Sequence, residues 1–330
     1  MQLHTRIALL VRLGKYMLNH EAAWEDAKLK AQQHNGWFTQ EYITLAVEGI
    51  TKHYLNERIL NAFVLEYNIA EVTNKQVGIV LAGNIPLVGF HDFMCSFITG
   101  HTTVLKLSER DNILLPHLIQ ILTSWDAEVA NYIQCNTMLK GCDAYIATGS
   151  NNTSRYFEQY FGKYPHIIRR NRTSVAILTG QETYQELDAL ANDIHYYYGL
   201  GCRNVTKLYV PQGYNFEQLL QACNKYAHYA QHNKYKNNYD YNLAIHILNK
   251  VYYMTNGSIL LTQNDTYFSA ISNLNYSYYN TVQDVVNELT LNENIQCIVA
   301  KGFTAFGTAQ QPLITDYADG VNTMQFLQSL

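Results

Sequence analysis

A chain of 330 residues with 48% hydrophobic content can bury two ordinary cores without help from metals or disulfides. A formal net charge of -4 and a pI near 6.3 exclude the basic face that binders of a phosphate backbone need, so no nucleic-acid partner is expected. The six cysteines, Cys95, Cys135, Cys142, Cys202, Cys223 and Cys297, share no C-x-x-C spacing. They fit free thiols of a reducing, cytoplasmic compartment better than a disulfide framework or a zinc site.

The opening MQLHTRIALLVRLGKYMLNH places a basic residue before an apolar run, but Arg12 and Lys15 interrupt the run and no small-residue cleavage site follows. It reads as an amphipathic helix, not a signal peptide. Residues 1 to about 71 predict consecutive helices: RIALLVRLGKYML, a stop at Asn35-Gly36, then YITLAVEGITKHYL and RILNAFVLEYNIAE. Short apolar strands then alternate with helical segments: VGIVLA (77–82), TVLKL (103–107), AYIATG (144–149) and SVAIL (174–178). That alternation predicts a parallel, doubly wound sheet. No window reaches the roughly eighteen unbroken apolar residues of a membrane-spanning helix, since even VGIVLAGNIPLVGF is broken by Gly, Asn and Pro.

A second block follows the helix-like TYQELDALANDIHYYY. It holds LGCRN, the strand KLYVP, the helical NFEQLLQACNKYAHYAQ, a Tyr- and Asn-rich stretch to about residue 245, and the strands SILLT (258–262) and IQCIVA (295–300) around the helical TVQDVVNELTL. The expected division is a helical lead-in and nucleotide-binding domain over 1–178 and a catalytic domain over 179–300. A tail over 301–330 is expected to return to the first domain. The closing VNTMQFLQSL reads as an apolar, strand-like run that would be an exposed edge in a monomer.

The chemistry is signalled by strand ends. The first strand runs into GNIPLVG, so the G-x-G-x-x-G fingerprint is absent, and residue types alone give a strand-to-helix turn there. In GHTTVLKLSER (100–110) and IATGSNNTSRYF (146–157) a strand ends in polar residues that open a helix. The carboxyl ends of parallel strands are where such sheets bind nucleotides, and Lys106, Ser108 and the pair Gly149-Ser150 can hold ribose and phosphate groups. Read singly, each is a solvated strand end.

Cys202 stands in a Gly-flanked loop beside Arg203, whereas Cys95, Cys142 and Cys297 lie in apolar runs and read as small core hydrophobes. A helix expected to start after Gly201 would lower the Cys202 thiol pKa. His91-Asp92 reads as a cap or core pair, and the histidines show no H-E-x-x-H spacing, so no metal is expected. Arg169, Arg170 and Arg172 read as a solvated strand entrance, with a phosphate contact as the alternative.

The order GNIP, LKLSE, ATGS and GLGC resembles the aldehyde dehydrogenase superfamily, and more closely its LuxC-like acyl-CoA reductases. The resemblance covers about residues 76–210 and the tail FGTAQQPLITDYADGVNTMQFL. It implies an aldehyde dehydrogenase-like α/β fold with a doubly wound cofactor domain and a smaller α/β catalytic domain. It also implies Cys202 as nucleophile, Asn84 as side-chain donor of the oxyanion hole, Lys106 and Glu109 at the adenosine ribose, and Gly149 and Ser150 at the cofactor phosphates. NADPH is the implied cofactor, with NADH possible, and an acyl-CoA or acyl-protein the implied substrate; assembly into at least a dimer is implied too.

One departure sets the expected direction. Where hydrolytic members carry a Glu-Leu-Gly-Gly-type segment, this chain reads Arg169-Arg170-Asn171-Arg172 before SVAIL. Without that water-activating base an acyl-enzyme survives long enough to be reduced, so reduction of an acyl thioester to the aldehyde is expected. The alternatives are an aldehyde or semialdehyde dehydrogenase in which Glu182 or Glu186 replaces the base, and a catalytically silent acyl-holding scaffold.

Overall fold

Apolar residues recurring every three or four positions build four opening helices: α1 (Leu3–Leu18), α2 (Ala22–His34), α3 (Gln40–His53) and α4 (Glu57–Tyr67). The structure, a computed structural model, describes residues 1–67, 69 and 74–330. Residues 68, 70 and 71 of the expected helical segment RILNAFVLEYNIAE lie outside the described residues. Leu10 and Leu13 of α1 and Trp24 of α2 are fully buried, so the stripe that predicts each helix is also the face it packs.

The chain then builds a five-stranded parallel sheet from β1 (Gln76–Val80), β2 (Thr102–Lys106), β3 (Ile133–Cys135), β4 (Ala144–Thr148) and β5 (His166–Arg169). The strand order is β3-β2-β1-β4-β5, a doubly wound arrangement whose order reverses beside β1. The intervening helices are α5 (Phe90–Thr99), α6 (Leu114–Trp125) and α7 (Asn151–Phe161). Helix α5 is buried along nearly its whole length. Together with residues 312–330 these elements make one compact unit, Met1–Asn171 and Pro312–Leu330.

The second unit, Arg172–Gln311, holds β6 (Thr173–Ile177), α8 (Tyr184–His195), β7 (Val205–Pro211), α9 (Glu217–Cys223) and α10 (Asn233–Leu248). It continues through β8 (Tyr253–Thr255), β9 (Leu260–Gln263), β10 (Asn273–Tyr279), α11 (Val282–Thr290) and β11 (Ile295–Val299). Its sheet runs β11-β6-β7-β10-β9-β8. Neighbours are parallel except β8 against β9.

Three expectations need correction. SVAIL, expected with the first sheet, is β6 and pairs with β7 and β11 in the second. The expected single helix over NFEQLLQACNKYAHYAQ splits into α9 and a 3-10 stretch, Asn224–Gln231. The closing apolar run is not a strand but helix α12 (Thr323–Gln328), capped by Asn322, with Met324 and Leu327 fully buried. Its apolar residues fall at helical spacing, so the tail presents no strand edge, and that argument for a dimer falls. Among the described residues no helix is long and apolar enough to cross a membrane, and no group of three metal-ligating side chains forms.

Candidate active site

Cys202 lies in a tight turn just before β7, half-buried. No helix starts after Gly201, which corrects the expectation of a helix terminus at the thiol. The turn follows a strained segment. Tyr197 (φ 54), Tyr198 (φ 57) and Gly199 (φ 78) are three consecutive residues in the left-handed region. Such a conformation costs a residue other than glycine about 1–3 kcal/mol. Both tyrosine rings are buried, and Tyr198 stacks 4.5 Å from the His232 ring. Burying an aromatic side chain contributes about 1.5–3 kcal/mol, enough to offset the strain and hold the turn in one shape.

Two polar side chains fasten that turn. The Asn204 carboxamide accepts the Gly201 N–H at 2.7 Å and donates to the carbonyls of Asp193, Ile194 and Tyr196. It therefore closes the exposed end of α8 and fixes the residue before the nucleophile with one group. Ser174 Oγ donates to the Cys202 carbonyl at 3.1 Å and lies 3.0 Å from Cys297 Sγ. Cys297, expected in the core, is half-buried at a register shift between β11 and β6 and shares Ser174 with the nucleophile turn. Burial pushes its thiol pKa up, while the Ser174 hydroxyl and the Arg203 charge oppose that shift. The positive charge of Arg203 is thus felt at the Cys297 thiol.

Asp193 is fully buried and accepts the N–H groups of Gly307 (2.6 Å) and Ala309 (3.0 Å). Burial pushes its pKa up to about 7, against the effect of those two donors. Glu182 and Glu186, the candidate replacement bases, are engaged elsewhere. Glu182 accepts the N–H groups of Thr179 and Gly180, and Glu186 completes a capping box with Thr183 at the start of α8. Both follow the carboxyl end of β6, whereas Cys202 precedes the amino end of the parallel β7. A cavity of about 280 Å³ opens at that same far end, lined by Gly180, Pro211, Gly213 and Tyr214.

The first unit gathers the predicted cofactor residues. Asn84 lies in the loop after β1, Lys106 ends β2, and Ser108 and Glu109 follow it; Gly149 and Ser150 follow β4. Strands β2 and β4 flank β1, so all three loops sit at the carboxyl edge of adjacent parallel strands. A side chain at Gly83 would collide with Ser108, and one at Gly149 would come within 2.9 Å of Phe157. Ser150 caps α7, its hydroxyl accepting the Thr153 N–H, and the first turn of that helix carries no acidic residue. Lys106 and Glu109 are exposed. An anionic dinucleotide fits this edge: an open cation, an uncluttered helix start and loops packed at glycine contacts.

The GNIPLVG loop is held from below. Leu87 is left-handed (φ 55), and its N–H is accepted at 2.8 Å by Asp111, which is itself buried. The other Asp111 oxygen has no hydrogen-bond partner among the described residues. Within the arginine cluster, Arg169 departs from the expected solvated entrance. Arg169 is buried against Asp92 of α5 and donates to Thr323 of α12, while Arg170 pairs with Glu158 at the surface. Sequence reading missed Ser174, Asn204 and Asp111. Only Asn204 had a signal, its place in GLGCRN.

Residues 69–223 match the family model described as acyl-CoA reductase (LuxC). Over that segment, a little under half of its length, the chain is similar to the LuxC family. LuxC proteins are acyl-CoA reductases, hence oxidoreductases. No curated protein matches the chain. Among solved structures, a gamma-glutamyl-gamma-aminobutyraldehyde dehydrogenase from Burkholderia cenocepacia is similar with a TM-score of 0.67 at 14% identity, over 91% of this chain and 72% of that one. A putative aldehyde dehydrogenase from the same organism gives 0.67 at 12%, over 94% and 76%. An indole-3-acetaldehyde dehydrogenase from P. syringae, solved with NAD+, gives 0.63 at 12%, over 87% and 69%. The fold of the chain is thus aldehyde dehydrogenase-like.

Proposed function

We propose that this chain reduces an acyl thioester, a fatty acyl-CoA or acyl-protein, to the aldehyde through a thioester on Cys202. The observation that carries the reading is the Cys202 turn: a half-buried thiol on a strained, pinned backbone, inside the segment that matches LuxC. In the first step the Cys202 sulfur attacks the acyl carbonyl, the bond to the donor sulfur breaks, and the donor leaves as a thiol. Asn84 is assigned the side-chain hydrogen bond to the oxygen that becomes negative, with the Cys202 N–H as a second donor. Lys106, Ser108, Glu109, Gly149 and Ser150 are assigned to the ribose and phosphates of the nicotinamide cofactor. That cofactor, when bound, supplies the two electrons and hydrogen that convert the acyl group to the aldehyde.

The reductive direction is supported by what the carboxylates do. By the resemblance, Arg169-Arg170-Asn171-Arg172 stands where the segment with a water-activating Glu would be, and Glu182 and Glu186 cap turns beyond the carboxyl end of β6. NADPH is carried over from the family resemblance, with NADH as the alternative: exposed Lys106 favours a 2'-phosphate and exposed Glu109 opposes one. Cytoplasmic location and assembly into at least a dimer go with the family reading.

The test incubates the full chain with NADPH or NADH and acyl-CoAs of several lengths, following loss of reduced-cofactor absorbance and the intact mass of the protein. An acyl adduct on Cys202 and consumption of cofactor are expected, and Cys202→Ala should lose both while still binding cofactor. A Cys202→Ala protein that reduces acyl-CoA at the wild-type rate would overturn the reading.

A further inference from the structure

Gly201 precedes the nucleophile and packs against two side chains, the nearer being Asn204, whose Oδ1 would lie 3.0 Å from an added Cβ. A Cβ placed on it would lie 3.4 Å from Oε1 and 3.8 Å from Nε2 of Gln310, so the Gln310 carboxamide packs directly over the Gly201 backbone. Gln310 Nε2 is buried and has no hydrogen-bond partner among the described residues. Folded proteins leave few buried donors unmatched, and one beside a reactive cysteine calls for an acceptor that arrives with a ligand.

The segment bearing this donor is firmly placed. Asp193 holds the N–H groups of Gly307 and Ala309, Ala309 is fully buried, and Gly307 (φ 81) lies so close to α8 that an added Cβ would come 2.9 Å from Ala189 Cβ. The carbonyl of the same Asp193 accepts from Asn204, whose side chain fixes Gly201. One buried residue of α8 therefore sets the Gln310 segment with its carboxyl group and the Cys202 turn with its backbone. The two are registered to each other through a rigid element, the arrangement a preorganised donor needs.

We propose that Gln310 is a further catalytic residue whose Nε2 donates a hydrogen bond to the oxygen of the acyl group carried on Cys202. The proposal rests on Cys202 as the acyl carrier. Among the described residues the donor has no acceptor, so its hydrogen bond to a protein-bound group is the one formed with the reacting acyl group in place. Such an interaction raises the rate of acyl transfer and adds nothing to the stability of the free protein.

The test replaces Gln310 by Met, which keeps length and volume and removes the donor, with Gln310→Leu as a second variant. Acylation of Cys202 by an acyl-CoA series is timed by intact mass, alongside thermal unfolding of the free proteins. The expected result is acylation slowed about 10- to 100-fold, below the usual loss for a sole oxyanion donor because others remain, with a Tm no lower than wild type. Loss of an unmatched buried donor does not weaken a fold. Wild-type acylation rates in both variants, or a fall in Tm that accompanies the slowing, would make Gln310 a packing residue and overturn the proposal. A wild-type chain that no acyl-CoA acylates would overturn the acyl-carrier reading and this inference with it; acylation of wild type and variants alike overturns this inference only.

Discussion

Asn84 and Asp111 occupy the same corner of the first unit and answer to different tests. On the proposed roles, replacing Asn84 by Ala removes one oxyanion donor and leaves the nucleophile, so turnover should fall about 10²- to 10³-fold with acyl transfer persisting at a reduced rate. If Asn84 only caps its turn, the same change costs about 1 kcal/mol of stability and leaves the turnover of the folded protein intact. Measuring kcat together with Tm separates the two. Asp111 should announce itself through pH. Burial pushes its pKa up to about 6, opposed by the Leu87 N–H, whereas the unfolded chain releases that proton near the ordinary value of about 4. Between these values the folded state binds more protons, so Asp111 lowers stability progressively as pH rises from about 4 to about 6. Asp111→Asn keeps an acceptor for Leu87 and does not titrate. The Tm gap in its favour should therefore open across that window and stay constant above it; a gap that closes with rising pH would show Asp111 to be a stabilised carboxylate.

At the level of elements, the Cys202 turn depends on a side chain that never needs to meet substrate. Asn204→Ala strips the Gly201 N–H and the carbonyls at the end of α8 of their partner. Leaving a buried group of this kind unmatched costs about 1–3 kcal/mol; counting the Gly201 N–H as one and the three carbonyls that share the single Asn204 amide nitrogen as a second, a loss of about 2–6 kcal/mol is expected by denaturant titration. Preferential alkylation of Cys202 should also fade below the unfolding temperature. Unchanged labelling would show that the strained tyrosines alone hold the turn. The same turn shows what the sequence could tell. Gly flanks and a neighbouring Arg marked Cys202, but a residue pattern of G-C-R-N is shared by helix starts and tight turns, and only the contact of Asn204 with α8 decides between them. Strands with unbroken apolar runs, such as VGIVLA and AYIATG, were legible to within a residue or two of β1 and β4. Strand β10, NLNYSYY, was not, because Asn, Ser and Tyr carry no apolar period although Leu274 and Tyr276 are buried. Helix α10, NKYKNNYDYNLAIHIL, buries only Tyr235 and so has no stripe to read. Gln310 was invisible for another reason: its signal is proximity to Gly201, a contact between distant segments that no local pattern contains.

For the molecule as a whole, the decisive feature is that the first unit is discontinuous: the chain leaves it after Asn171 and re-enters at Pro312. The returning tail is part of its core. Ile314, Tyr317, Met324 and Leu327 join the same buried cluster as Leu10, Phe93 and Ile146. His101, fully buried, donates from Nε2 to the Leu327 carbonyl at 2.8 Å, and Thr323 receives Arg169 beside Asp92. At about 1.5–3 kcal/mol for each buried apolar side chain, four such residues contribute roughly 6–12 kcal/mol, an upper value because the unfolded chain is itself partly collapsed. That equals the whole stability of an ordinary domain. Removing the tail also leaves Arg169 and Asp92 at a newly opened surface and His101 without its acceptor. A fragment of residues 1–171 is therefore expected to lack a cooperative thermal transition and to be cut rapidly by protease. The same fragment joined by a flexible linker to residues 312–330 should regain both a transition and protection. A fragment 1–171 that melts cooperatively near the temperature of the linked form would show that the tail is an accessory to the first unit and not a part of its core.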